Sequence, residues 1–128
     1  MESLHLEIVL PVKPEKLFAA WLDSEEHSKF TGATAKIDCW VGGHFTAWDE
    51  YISGKTMLIA APKRILQTWR TSEFPEESPD SELELLFFEV PEGTRLELNH
   101  TQIPDGQGGD YEQGWLDYYF APMKEYFK

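Results

Sequence analysis

The sequence has few of the features that stabilise secreted proteins or span membranes. Cys39 is the only cysteine, which excludes an internal disulfide and argues against a disulfide-stapled secreted scaffold. The longest stretch without Asp, Glu, Lys or Arg runs for ten residues, from Cys39 to Trp48, and is too short to cross a bilayer. Because the N-terminal residues also lack a signal-peptide pattern, we expect a cytoplasmic protein with no membrane partner.

Positive charge is also scarce. The chain has 11 Lys and Arg residues against 23 Asp and Glu residues, which gives a net charge of -12 at pH 7 and a pI near 4.6. Such an acidic surface is repelled by nucleic-acid phosphates and by anionic lipid. We therefore expect no nucleic acid among the partners of this protein.

Several catalytic and cofactor motifs are absent. The chain has neither a Gly-rich phosphate-binding loop nor a Gly-x-Ser-x-Gly nucleophile elbow. Its four histidines are far apart in sequence, so no paired-histidine metal motif occurs. A site assembled in space from His44 and His100 stays open, but a lone strand histidine is usually a packed or rim residue. We expect no metal and no cofactor.

The size and aromatic content indicate one aromatic-rich domain. The chain has 128 residues, which suits a single domain over residues 1–128, and 14% of them are Phe, Trp or Tyr. Indole and phenol groups need hydrogen-bond partners when buried, and clusters of them often line pockets. The aromatic content therefore favours a ligand cavity, with an ordinary aromatic core as the alternative.

The hydrophobic pattern predicts a strand, two helices and then a long run of strands. Leu4, Leu6 and Ile8 alternate with polar residues, which predicts a first strand ending at Pro11. Helical spacing of apolar residues predicts a helix over Pro14–Leu22, and Ser24 is the predicted cap of a second helix that ends near Gly32. Period-two patterns then predict six strands, namely Thr34–Asp38, His44–Trp48, Tyr51–Ala60, Arg64–Thr71, Glu82–Val90 and Thr94–Gln102.

The C-terminal segment returns to helical spacing. A helix is predicted from about Tyr111 to the end of the chain, with aromatic residues along one face. Pro122 interrupts it, because the proline ring conflicts with the carbonyl group of Tyr118. We therefore expect a bend or a lost hydrogen bond at that point.

Five short motifs follow one another in a specific order along nearly the whole chain, at 14–21, 42–45, 54 with 61–65 and 68–69, 93–100, and 114–115 with 122–124. Together with the predicted elements, these motifs resemble the START-like helix-grip superfamily (SRPBCC), in the branch related to the activator of the 90-kDa heat-shock-protein ATPase. The resemblance implies an α+β helix-grip fold, in which a curved antiparallel sheet of about seven strands carries two short helices after its first strand and a long C-terminal helix across it.

The same resemblance implies a function. The superfamily binds apolar ligands in a cavity beneath the long helix, so we expect a small apolar or amphipathic ligand between the sheet and the C-terminal helix. His100 and Tyr119 are the expected polar anchors, whereas the faces of Trp48 and Trp69 depend on a strand register that the sequence does not determine. The expected ligand-binding residues are Phe45, Trp69, Phe87, Leu96, Leu98, His100, Trp115, Tyr118, Tyr119 and Met123.

Two other functions stay open. The namesake activators bind a chaperone, so the chain is alternatively a co-chaperone-like interaction module that presents an exposed patch. Some superfamily members are enzymes, and a cyclase or hydrolase here would pair His100 with a carboxylate such as Glu89 or Asp49. A non-enzymatic role is the preferred reading, and both a monomer and a homodimer are compatible with the sequence.

Overall fold

Seven antiparallel strands form one sheet in the computed structural model, which describes residues 1–128. The strand order is β1-β7-β6-β5-β4-β3-β2, so strands β2 to β7 pair with their sequence neighbours while β1 pairs with β7. The strands are β1 (Glu2–Leu10), β2 (Lys36–Ile37), β3 (His44–Ala47), β4 (Ile52–Ala60), β5 (Arg64–Thr71), β6 (Ser81–Val90) and β7 (Gly93–Ile103).

The helices lie in two groups. Helices α1 (Pro14–Leu22) and α2 (Ser24–Thr31) connect β1 to β2, and a long C-terminal helical run follows β7. That run consists of α3 (Gly108–Trp115), a π-helical turn (Leu116–Phe120) and α4 (Ala121–Tyr126). The predicted α+β helix-grip fold is confirmed. None of these helices combines the length and the apolar character that a membrane span requires.

The strand predicted over Thr34–Asp38 is shorter in the structure, where β2 comprises only Lys36–Ile37. Polar side chains account for the difference. Asp49 accepts the Thr34 N–H at 3.0 Å and Ser28 accepts the Ala35 N–H at 2.8 Å, so these backbone donors are not available to a sheet partner.

The cap of α2 also differs from the prediction. Asp23, not Ser24, is the capping residue, because its carboxylate accepts the Glu26 N–H at 2.8 Å. The Ser24 hydroxyl instead accepts the Ile37 N–H at 2.8 Å, which fastens β2 to the start of α2.

The alternating pattern of the central strands places one face of the sheet in the core. Because side chains alternate between the two faces of a strand, the buried positions of β6 and β7 recur at every second residue. These strands face α1 and the C-terminal helical run. The buried inward residues of β3, β6 and β7 include Phe45, Ala47, Leu83, Leu85, Phe87, Leu96, Leu98 and His100.

The predicted irregularity at Pro122 takes the form of the π-helical turn. The Ala121 N–H bonds to the carbonyl oxygen of Leu116, five residues earlier, instead of four. Pro122 then occupies the first turn of α4, where a missing backbone N–H is tolerated. The wider turn thus accommodates the proline without ending the helical run.

Candidate functional site

A groove of about 300 Å³ lies between the strand ends of β4 and β5 and the C-terminal helical run. This volume is at the lower end of the range of small-molecule pockets. Seven of its eleven lining residues are aromatic. The lining residues are Trp48, Tyr51, Ile52, Trp69, Glu73, Asp110, Tyr111, Gly114, Trp115, Tyr118 and Tyr119.

The base of the groove is a packed layer of aromatic rings. Trp69 of β5, Trp115 of α3 and Tyr119 of the π-helical turn are all buried. The ring centroids of Trp69 and Trp115 are 5.6 Å apart, and those of Trp115 and Tyr119 are 4.7 Å apart. Aromatic pairs at these distances add to the stability that their burial provides. The base is therefore a closely packed aromatic surface.

One wall of the groove is a backbone turn in a rare conformation. Trp48, Asp49 and Glu50 have φ angles of 52°, 56° and 74°, in the left-handed region that non-glycine residues seldom adopt. Each such residue costs roughly 1–2 kcal/mol relative to a right-handed conformation. The Asp49 N–H donates to the Thr34 carbonyl oxygen at 3.0 Å, which holds the turn. The turn brings Trp48 and Tyr51 to the groove.

The opposite wall is one face of the C-terminal helical run. Tyr111, Trp115 and Tyr118 follow at helical spacing, and Gly114 leaves a gap between them. A methyl group added at Gly114 would meet no atom closer than 4.0 Å, the distance to Tyr118 Cδ2. Tyr118 stands at the mouth with 60% of its surface exposed, and its ring meets that of Trp48 edge-on at 5.6 Å.

The polar rim of the groove includes Glu73, Asp110 and two tyrosine hydroxyl groups, and both of its ionised groups are acidic. The Tyr51 hydroxyl donates to the Glu73 carboxylate, and burial together with this bond raises the pKa of Tyr51 to about 12. The Tyr111 hydroxyl donates to Gln107 Oε1 at 2.7 Å and accepts from the Thr71 hydroxyl at 2.6 Å. Asp110 completes the rim, and no Lys, Arg or His lines the groove.

His100 lies behind the aromatic base and is fully buried. Its Nδ1 accepts the Trp115 indole N–H at 3.1 Å, and its Nε2 is 2.8 Å from the Ser81 hydroxyl oxygen. Since the Ser81 hydroxyl donates to the Trp69 carbonyl oxygen at 2.7 Å, Nε2 must carry the proton and donate to Ser81. Burial lowers the pKa of His100 to about 3, so the ring is neutral and its hydrogen bonds are all assigned.

His27 forms a second buried histidine network. Its Nδ1 donates to the Trp21 carbonyl oxygen at 2.9 Å, and its Nε2 accepts from the Tyr119 hydroxyl at 2.9 Å. Burial lowers the pKa of His27 to about 4 and raises the pKa of Tyr119. The centroids of the Trp48 and Tyr119 rings are 6.5 Å apart, and the buried indole N–H of Trp48 has no hydrogen-bond acceptor.

The structure brings together four of the ten side chains expected at the site. Trp69, Trp115, Tyr118 and Tyr119 line the groove. The others are buried core residues away from it. Phe45 lies over Gly54 of the neighbouring strand, Phe87 packs edge-on against Phe18, and both ring nitrogens of His100 are occupied by Ser81 and Trp115. The remaining three are Leu96, Leu98 and Met123, all with no exposed surface.

The expected ligand-binding set did not include seven of the lining residues, namely Trp48, Tyr51, Ile52, Glu73, Asp110, Tyr111 and Gly114. Trp48 begins a left-handed turn that no glycine marks and Tyr51 follows that turn, whereas Tyr111 and Gly114 lie in α3. The sequence contains one pattern that indicates part of this lining. It is the row of aromatic residues at helical spacing from Tyr111 to Tyr119.

The structure does not bring together the residues named in the catalytic and metal alternatives. Neither Glu89, which is exposed, nor Asp49, whose carboxylate accepts the Thr34 N–H, is hydrogen-bonded to His100. His44 is exposed whereas His100 is buried. The cluster of possible metal ligands in the structure is instead His5, Glu7 and Glu97, largely on the outer face of the sheet.

An antiparallel sheet with two helices after its first strand and a long C-terminal helical run across it defines the START-like helix-grip class. Within that class, the family described as "Activator of Hsp90 ATPase homolog 1-like protein" matches residues 11–128, and the chain belongs to that family.

Similar proteins carry related names. The human "Activator of 90 kDa heat shock protein ATPase homolog 1" is 30% identical over 125 residues, which cover 98% of this chain and 37% of that protein. The chain thus spans little more than a third of that relative. The crystal structure of an HSP90 activator from Plasmodium falciparum has a TM-score of 0.86 at 27% identity, covering 97% of this chain and 94% of the other. An Aha1 dimer from Colwellia psychrerythraea, at 14% identity and a TM-score of 0.80 over 99% of this chain and 96% of the other, shares the fold.

Proposed function

We propose that this protein binds a small, largely apolar ligand in the groove between the sheet and the C-terminal helical run. The observation that carries the proposal is the concentration of seven aromatic side chains around about 300 Å³ of space. Water in such a groove finds few hydrogen-bond partners, so its displacement by apolar surface is favourable. A contribution of about 25 cal/mol per Å² of buried apolar surface is the usual scale.

Two backbone irregularities at the groove support a binding role. Left-handed backbone at Trp48–Glu50 and a π-helical turn at Leu116–Phe120 both lie beside it, one on each wall. Strained turns and π-helical turns cluster at functional sites, because a position that costs free energy persists where it places a side chain usefully. Here they place Trp48 on one wall and Tyr118 on the other.

Filling the gap at Gly114 tests the proposal. Gly114→Leu projects a branched side chain among the lining residues. We expect it to weaken binding of the neutral fluorophore 1-N-phenylnaphthylamine at least about tenfold, because the fluorophore then loses apolar contact equivalent to a few buried methylene groups. Fluorescence titration of wild-type and variant protein measures the affinity.

Gly114→Ala is the matched control. Its methyl group has room, and alanine in place of glycine stabilises a helix by up to about 1 kcal/mol. Binding should therefore stay within about twofold of wild type while the melting temperature rises. Wild-type protein that does not bind the fluorophore, or equal binding by Gly114→Leu, contradicts the proposal.

A second candidate function is contact with a 90-kDa heat-shock protein, and the family names support it. The feature that favours it is an apolar tip at the β2–β3 turn. Trp40 and Val41 are each 60% exposed, and Met57, which follows the Thr56 that bonds to this turn, is 48% exposed. Exposed apolar residues grouped in this way are typical of protein-docking surfaces.

Removing the apolar tip tests this candidate. We expect the double variant Trp40→Ser/Val41→Ser to bind purified 90-kDa heat-shock protein at least about tenfold more weakly than wild type in calorimetry, because interface affinity is concentrated in buried aromatic anchors. Val9→Thr, at an exposed position of β1, is the control and should bind like wild type. Unchanged affinity of the double variant would rule out this tip as the contact.

A further inference from the structure

The groove has a consistent electrostatic sign. Its ionised lining residues are Glu73 and Asp110, and no cationic side chain lines it. Neither carboxylate takes part in any of the seven ion pairs of the protein. The Tyr51 hydroxyl that bonds to Glu73 is a neutral donor, so it leaves the negative charge in place. The net charge of -12 adds a negative field over the whole surface.

The aromatic walls favour the same sign of ligand charge. Ring faces carry partial negative charge and attract a cation within about 6 Å of the centroid, and Trp is the strongest partner. Three tryptophans and four tyrosines line the groove. The rings of Trp48 and Tyr118 meet at 69° and those of Trp69 and Tyr111 at 81°, so neighbouring rings of the lining differ in orientation.

We infer that the ligand is a small organic cation, an alkylated ammonium group attached to an apolar body. This inference rests on the proposed ligand-binding function and assigns its substrate class. The ammonium group lies among the tryptophan and tyrosine rings, within the field of Glu73 and Asp110. The apolar body contacts the base formed by Trp69, Trp115 and Ile52.

Other charge types fit the groove poorly. An anionic ligand meets two carboxylates and no positive partner, and a neutral ligand gains no charge attraction from either carboxylate. A bare metal cation retains its hydration shell and gains nothing from an apolar wall. An alkylammonium is weakly hydrated and matches both the rings and the rim.

Three probes of similar shape and different charge test the inference. Benzyltrimethylammonium, neopentylbenzene and phenylacetate are respectively cationic, neutral and anionic around one phenyl ring. Binding is followed by tryptophan fluorescence, because three of the five tryptophans line the groove, and by calorimetry. We expect the cation to bind at least about tenfold more tightly than the neutral probe. This is the effect expected when a partly desolvated cation contacts aromatic rings and lies near a carboxylate.

Paired variants locate the charge effect. Glu73→Gln/Asp110→Asn keeps the shape of the rim and should weaken cation binding about tenfold while leaving the neutral probe within about twofold. Glu76→Gln/Glu77→Gln makes the same change in net charge. These two positions are exposed, lie in the same β5–β6 loop as Glu73 and do not line the groove. This control should change cation binding by less than about twofold.

The outcomes separate the inference from the function it rests on. Neutral or anionic probe binding as tight as cation binding overturns the inference and leaves the groove a binding site. An equal effect of the two paired variants also overturns it, since the preference is then a property of the overall charge. Absence of binding by all three probes and by 1-N-phenylnaphthylamine overturns both.

Discussion

Gly54→Ala is expected to destabilise the protein by about 4 kcal/mol or more, an effect large enough to unfold many domains. A methyl group at this position would lie 2.7 Å from Cε1 of Phe45 and closer still to the carbonyl oxygen of Thr68. Phe45 is the cross-strand partner of Gly54 in the β3–β4 pair, so the ring covers the glycine and has no room to withdraw. The Thr68 carbonyl belongs to β5 and is held by the sheet. Chemical denaturation of both proteins measures the difference in unfolding free energy.

Gly109→Ala is the matched control for this substitution. Gly109 lies in α3, and a methyl group added there meets no atom within 4 Å. The same chemical change should therefore stabilise the protein, by up to about 1 kcal/mol. If Gly54→Ala unfolds at the same denaturant concentration as wild type, the close approach of β4 to β5 and Phe45 is incorrect.

Acidification from pH 7 to pH 5 is expected to remove about 4 kcal/mol of stability through His27 and His100. Burial holds their pKa values at about 4 and about 3 in the folded protein, whereas an unfolded histidine titrates near 6.5. At pH 5 the unfolded chain therefore binds nearly two more protons than the folded chain through these residues. The contribution of the two histidines to the free energy of unfolding is full well above pH 6.5, the unfolded pKa. It is lost as the pH falls from there toward the folded pKa values.

The histidine contribution can be isolated by a variant. His27→Gln keeps a neutral side chain that has both a donor and an acceptor but cannot be protonated, so the histidine part of the stability loss between pH 6.5 and pH 5 should be about half that of wild type. Relief of repulsion in this acidic chain acts on wild type and variant alike, so the difference in slope is specific. His44→Gln, the same chemical change at an exposed strand position, is the control for the loss of an imidazole. Identical slopes for His27→Gln and wild type would contradict this prediction.

The strands and helices were predictable because their local patterns are strong. Burial alternates along β5, along β6 as far as Phe87 and along β7 as far as His100, since one face of the sheet is packed and the other is not. Pro14 and the apolar spacing after it predicted the bounds of α1 correctly. The short β2 was harder to predict, because side chains from α2 and from the β3–β4 turn take its backbone donors.

The groove was less predictable, because its geometry depends on contacts that are distant in sequence. The predicted third strand included Trp48, but this residue adopts a left-handed conformation. The turn that it begins is held by a hydrogen bond between Thr34 and Asp49, which are 15 residues apart in sequence. Similarly, nothing local to His100 indicates that its nitrogens are occupied by Ser81 and Trp115. A strand histidine at the end of an apolar row has the same local pattern whether it faces a ligand or a tryptophan.

The π-helical turn means that the C-terminal helical run contains one residue more than regular α-helical winding would use over that interval. An extra residue changes the angular phase of everything that follows it, so the side chains of α4 are rotated by roughly a quarter of a turn relative to those of α3. Met123 and Phe127 consequently reach the core while Tyr118 stays in contact with solvent. One surplus residue thus lets a single helical run both close the hydrophobic interior and leave an aromatic ring free at the entrance.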